Sequence, residues 1–187
     1  MKTMNLYRIG LTCVIGLFIL TANGYSQDIK LSRQEKKEVR KAMLAENYRI
    51  LDSLLTGRRF VLEADFLQNQ IGDRVPVASR INFIKIDGDR GVLQTGNDLR
   101  VGYNGVGGVT AEGTVGAYKI SKEKKSLSYK VSFYLQTKLG TYTVFMTVTS
   151  ENRAMATISG SRSGKLSWDG HLLTIDNSKV FKGMETF

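Results

Sequence analysis

The sequence predicts an α+β fold: one N-terminal amphipathic helix packed on a curved, mostly antiparallel, meandering β-sheet, barrel-like or sandwich, of about 9–10 strands. Three observations predict it. Ser32 and Glu35 form a capping pair ahead of a stretch with apolar residues at three- and four-residue spacing, which ends at Gly57. From Phe60 the apolar period drops to two and stays there. The strand-like runs are separated by short turn signals, so there is no βαβ pattern and sequence neighbours should be sheet neighbours.

Residues 1–26 read as a secretory signal. Lys2 and Arg8 supply a positive start, Ile9 to Leu20 an apolar run, and Thr21 to Ser26 a short, small-residue end. Cleavage after Ser26 or after Gly24 fits. The run is too short to span a bilayer comfortably, so no transmembrane segment is expected after its removal. Cys13, the single cysteine, lies inside this run, and a processed chain has neither disulfides nor thiol chemistry. The formal charge is +10, and loss of Lys2 and Arg8 leaves about +8. The simplest account of this charge is that it maintains solubility; as partners, anionic envelope surfaces suit an exported chain better than nucleic acid. The signal pattern sets the expected location, periplasmic or extracellular.

The domain plan is then 1–26 signal, 27–59 helical segment, 60–181 β domain and 182–187 tail. The helix should run from about Arg33 to Thr56. Its first turns are charged all round. Only Met43, Leu44, Tyr48, Ile50, Leu51, Leu54 and Leu55 form a stripe, so the C-terminal half should dock and the N-terminal half should stand free.

Phe60 to Phe66 alternates as a strand. Gly72 to Pro76 reads as a loop. Ile81 to Ile86 is apolar on both faces, as expected of a strand covered on both sides. Asp87-Gly88 turns it into Gly91–Thr95. Leu127–Leu135 and Tyr142–Val148 alternate cleanly about a turn at Lys138–Gly140, and Ala154–Ser159 follows. Lys165–Trp168 and His171–Ile175 flank Asp169-Gly170, which reads as a second two-residue hairpin.

Between these runs lies the glycine-rich stretch Val101–Ile120. Gly102, Gly105, Gly107 and Gly108 make its first part a loop. From Val109 the chain alternates, and Gly113 should mark a bulge or bend.

Four segments resemble domain-of-unknown-function family 4251, exported proteins of Bacteroidetes. They are Phe60-Val-Leu-Glu-Ala-Asp65, the run from Ile81 through Asp87-Gly-Asp89 to Gly96, Gly102-Tyr-Asn-Gly-Val-Gly-Gly-Val-Thr110 and Gly140-Thr-Tyr-Thr-Val-Phe-Met-Thr-Val148. The resemblance covers roughly residues 60–181 and implies an envelope location. It implies no activity and carries no catalytic residue.

The residues themselves offer little catalytic equipment. His171 is the only histidine, and no metal-ligand spacing occurs, so neither metal nor cofactor is expected. There is no nucleophile elbow: Gly160-Ser-Arg-Ser-Gly164 has arginine at its centre. Ser121-Lys-Glu-Lys124 matches a serine–lysine motif in letters but lies in a strand connection. A hydrolase of unrecognised mechanism would have to draw on Glu63, Asp65, Glu112 or His171. The favoured expectation is a monomeric, non-enzymatic module that binds a small molecule or an envelope protein, with an outer-membrane-associated interaction protein as the other alternative. The residues assigned to binding are Tyr103, Asn104, Gly105, Gly107 and Gly108 in the glycine loop, with Trp168 and His171 near the last hairpin.

Overall fold

A computed structural model describes residues 32–99, 101–160 and 164–186. The signal-like segment lies outside the described residues. Two compact units divide the chain, Met1–Lys37 and Glu38–Phe187. In the first, the expected capping box is formed: the Ser32 N–H donates to Glu35 Oε2 at 2.7 Å and the Glu35 N–H to Ser32 Oγ at 3.2 Å. Helix α1 runs Arg33–Thr56.

The strands are β1 (Arg59–Gln68), β2 (Arg74–Pro76), β3 (Phe83–Asp87), β4 (Arg90–Thr95), β5 (Val109–Glu123), β6 (Ser128–Thr137), β7 (Gly140–Thr149), β8 (Ala154–Gly160) and β9 (Lys165–Leu173). All pairings are antiparallel. From β3 to β9 each strand pairs with the next in sequence. β9 then pairs back onto β1, and β1 pairs with β3, which closes an eight-stranded up-and-down barrel. Short β2 extends the β1 edge beyond β3, pairing Phe66 with Pro76. The expected loop at 72–76 therefore holds a strand. Proline is tolerated there because β2 is an edge with no second neighbour.

Inward-facing side chains fill the barrel. Phe60, Tyr129, Phe133, Leu135 and Trp168 are all buried, with smaller Ala64, Ala154 and Ala156 between them. Leu51 and Leu55 of α1 belong to the same cluster. The C-terminal half of α1 closes the barrel end near Tyr118 and Tyr129. There the Tyr129 hydroxyl donates to the Tyr48 carbonyl at 3.0 Å and that of Tyr118 to the Leu55 carbonyl at 2.9 Å. The Tyr48 and Tyr129 rings stack at 4.6 Å. The docking face is narrower than the apolar stripe suggests. Leu44, Tyr48, Leu51 and Leu55 follow the 3.6-residue period, whereas Met43 and Ile50 rotate off it and are exposed.

The tail beyond β9 crosses the outer wall of β1, β3 and β4. Val61, Phe83 and Val92 point outward and are buried against Ile175 and Val180. This is why the β3 segment is apolar on both faces. Elsewhere the outer wall carries mainly Thr, Ser and Lys, with Phe145 and Met155 exposed among them. Apolar inside and polar outside is the reverse of a membrane-spanning barrel. Among the described residues, no helix is long and apolar enough to cross a membrane.

Two further expectations are corrected. Asp169-Gly170 is no hairpin: β9 runs unbroken through it, and Gly170 lies opposite Ala64. A Cβ at Gly170 would stand 1.9 Å from the Glu63 carbonyl oxygen, so this glycine serves close strand approach rather than a turn. The irregularity in β5 falls between Gly116 and Lys119, not at Gly113. Ala117 takes φ 46° there, while a Cβ at Gly113 would meet the Gln136 carbonyl at 1.8 Å.

Candidate functional site

The strand directions put the 69–82 and 96–108 connections at the barrel end opposite α1. In the glycine loop Gly102, Gly105 and Gly107 take φ of 55°, 76° and 71°, the left-handed region that side chains disfavour. Asn104 pins the loop from within. Its Oδ1 accepts the N–H groups of Val106 and Gly108, each at 3.1 Å, and its Nδ2 donates to Thr110 Oγ1 at 3.1 Å. Its carbonyl accepts the Met184 N–H at 2.9 Å. Gly108 packs so tightly that a Cβ would meet the Thr95 carbonyl at 2.2 Å.

Val106 of this loop packs inward, whereas three other side chains face solvent. Leu99 is 90% exposed, Val101 75% and Tyr103 91%. On the adjoining connection, Asn69 Oδ1 accepts the Ile71 and Asp73 N–H groups in an Asx turn, which leaves Ile71 79% exposed. Val75, on edge strand β2, is 53% exposed. The two connections meet. Val75, Val77 and Leu99 line one cleft of about 460 Å³, and Ile81, Leu99 and Val101 line a second of about 260 Å³. The end of the barrel therefore exposes a crown of apolar side chains on loops that Asn69 and Asn104 tie down by hydrogen bonds.

The residues expected to bind separate into different roles. Tyr103 stands on the crown. Asn104 is buried and serves the loop's own backbone. Gly105, Gly107 and Gly108 shape the loop. Trp168 and His171 do not converge: Trp168 points into the barrel, whereas His171 lies on the outer wall. The Trp168 Nε1 has no hydrogen-bond partner among the described residues. Leu99, Val101, Ile71 and Val75 went unnoticed in the sequence. The available signal was large aliphatic residues in segments that should be polar loops.

Three of the four candidate acid–base residues do gather. Glu63 and His171 are opposite each other on β1 and β9, and Asp65, on a bulge, lies 3.4 Å from His171 Nδ1. Glu63 is buried and accepts the Ser178 hydroxyl at 2.7 Å, which ties down the tail. Glu112 stands apart on β5, bonded to Lys182 and, at 2.9 Å, to Arg90. Those two bonds, Lys182 first, hold its carboxyl below the usual range. Among the described residues, no group of three or more His, Cys, Asp or Glu is arranged to hold a metal.

A second exposed apolar surface lies on the wall of β5 to β8. Phe145 and Met155 stand in a shallow cleft of about 780 Å³ whose lining includes Lys119 and Lys130 and no carboxylate.

Comparison with known proteins places the fold. No curated protein matches the chain. A crystal structure of a DUF4251 family protein from Bacteroides eggerthii DSM 20697 is similar, with 32% identity and a TM-score of 0.62. The match covers 73% of this chain and 93% of that one. The family model described as a domain of unknown function, DUF4251, matches residues 42–172. Its span reaches further back than the 60–181 resemblance. It takes in the docking half of α1 and stops short of the tail. The chain belongs to the DUF4251 family.

Proposed function

We propose that this protein is an exported, non-enzymatic binding module of the cell envelope whose contact surface is the barrel end opposite α1. The observation that carries the reading is the apolar crown, with Leu99, Val101 and Tyr103 in solvent on a loop that Asn104 ties down at Val106 and Gly108. Exposed apolar side chains gathered on preorganised loops mark interaction sites. The barrel interior offers a ligand less. Eight strands enclose just enough room for side chains, and aromatic and aliphatic groups occupy it. The carboxylates available for catalysis hold structural partners: Glu63 carries Ser178, and Glu112 carries Arg90 and Lys182. Export rests on the pattern of residues 1–26.

The test is site-specific photocrosslinking in intact cells of the native host. A photoreactive residue replaces Tyr103 in one strain and Lys124, at the other barrel end, in a second. A defined adduct at position 103, absent at position 124, supports the reading. Equal adducts at both positions, or none at 103, would refute it. Export is checked in the same strains by the mass of the mature N-terminus.

A further inference from the structure

We infer that the crown docks on an anionic lipid surface, an inference that rests on the binding end proposed above. Its shape and charge select that occupant. Ile71, Val75, Leu99, Val101 and Tyr103 come from two separate connections and project as individual tips, and Met184 of the tail is exposed beside Asn104. Protruding aliphatic tips on separate loops suit a fluid interface, which closes around each one. A protein partner would need a matching pocket for every tip. Tyr103 adds an aromatic body with a polar end, the side-chain type that settles at headgroup level.

Charge points the same way. By sequence the two connections carry Arg74, Arg80 and Arg100 against Asp73 and Asp98, a net charge of +1. A weakly basic tip is attracted to anionic headgroups and carries no net negative charge towards them. The exported chain, without Lys2 and Arg8, carries about +8. A chain of net positive charge is drawn to anionic headgroups, an attraction that raised salt weakens. The loops are also preorganised. Asn104 in one and Asn69 in the other fix the backbone before any contact, so little ordering is left to the docking step.

The experiment is vesicle flotation of the full chain purified from its native cells, with its N-terminus mapped by mass. The probes are vesicles of phosphatidylcholine alone and of phosphatidylcholine with about one-third phosphatidylglycerol, a fraction that sets a clear surface charge. Three proteins are compared: wild type, L99S/V101S on the crown, and F145S/M155S, which removes exposed apolar side chains from the barrel wall. Fluorescence of buried Trp168 verifies that all three are folded. The expected result is wild-type flotation on the anionic vesicles, weakened by raised salt, lost at least tenfold in L99S/V101S and unchanged in F145S/M155S. Absence of wild-type flotation, or equal loss in both variants, overturns the inference. Absence of flotation together with a concentration-dependent dimer that L99S/V101S abolishes also overturns it. That last outcome leaves the binding end standing with a second copy of the chain as its partner.

Discussion

The hydroxyl of Thr110 donates to Gln94 Oε1 at 2.9 Å, and both side chains are fully buried although they project from the outside of a barrel. The C-terminal tail buries them. Gln94 Oε1 also accepts the Gly183 N–H at 2.8 Å, and its Nε2 donates to the carbonyls of Phe181 at 2.8 Å and Ile81 at 3.1 Å. Thr110 in turn exchanges hydrogen bonds with Thr186. One amide thus satisfies tail, β3 approach and β5 together. It links the crown loop to the tail, since Thr110 also receives the Asn104 amide.

Replacing Gln94 with alanine should therefore release the tail. Three backbone groups and the Thr110 hydroxyl lose a buried partner, for a cost of about 3 kcal/mol. Urea unfolding followed by Trp168 fluorescence measures the cost. Hydrogen exchange should accelerate at Phe181 and Gly183 while Val144 and Met146 in the barrel keep their protection. Unchanged exchange at Gly183 would disprove the clamp.

The helix face makes a contrast between two apolar residues of one stripe. Leu55 is fully buried beneath the barrel end, so Leu55→Ala should cost about 2–5 kcal/mol through lost burial and the cavity left behind. Met43 is exposed, and Met43→Ala should stay within about 0.5 kcal/mol. Equal losses in the two variants would show that the helix docks along a different face.

That contrast marks how far the sequence could be read. Capping letters, period and length placed α1 from Arg33 to Thr56, because these are local signals. Meander topology followed from short connections. Barrel closure did not, because the β1–β9 pairing joins the two ends of the β domain and leaves no local trace beyond Gly170. Asp-Gly was misread there for the same reason: the dipeptide serves a turn at 87–88 and a close strand approach at 169–170, and only long-range pairing separates the two. Of the residues expected to bind, Tyr103 stands on the crown. Asn104 was named for a ligand but is spent on Val106, Gly108 and Thr110. Leu99 and Val101 were passed over because loop exposure of aliphatic side chains is a tertiary outcome.

Closure itself can be tested at Gly170. A Cβ there would stand 1.9 Å from a backbone oxygen of β1, which no rotamer change relieves. Gly170→Ala should part β1 from β9 and cost more than the roughly 1 kcal/mol of an ordinary strand substitution. The expected readout is early exchange of the His171 and Glu63 amides, which lie opposite each other across β1 and β9, with the β6–β7 ladder still protected. Wild-type stability in this variant would exclude the tight crossing.

Alkaline pH should undo the helix–barrel junction. Burial raises the Tyr118 phenol above its ordinary value, and burial with the Tyr48 contact raises that of Tyr129. A phenol whose pKa is raised on folding contributes stability that is complete below the unfolded value of about 10 and lost as pH rises beyond it. The loss has a structural cause: each hydroxyl donates to a helix carbonyl, Tyr118 to Leu55 and Tyr129 to Tyr48, and a phenolate could only repel that oxygen. Stability measured by urea titration should therefore be flat from neutral pH to about 9 and fall above 10. Y118F/Y129F should begin about 2 kcal/mol less stable, one hydrogen bond per site, yet show a shallower alkaline decline. The same decline in wild type and double variant would mean that other groups govern the alkaline transition and that these two hydroxyls do not hold the helix in place.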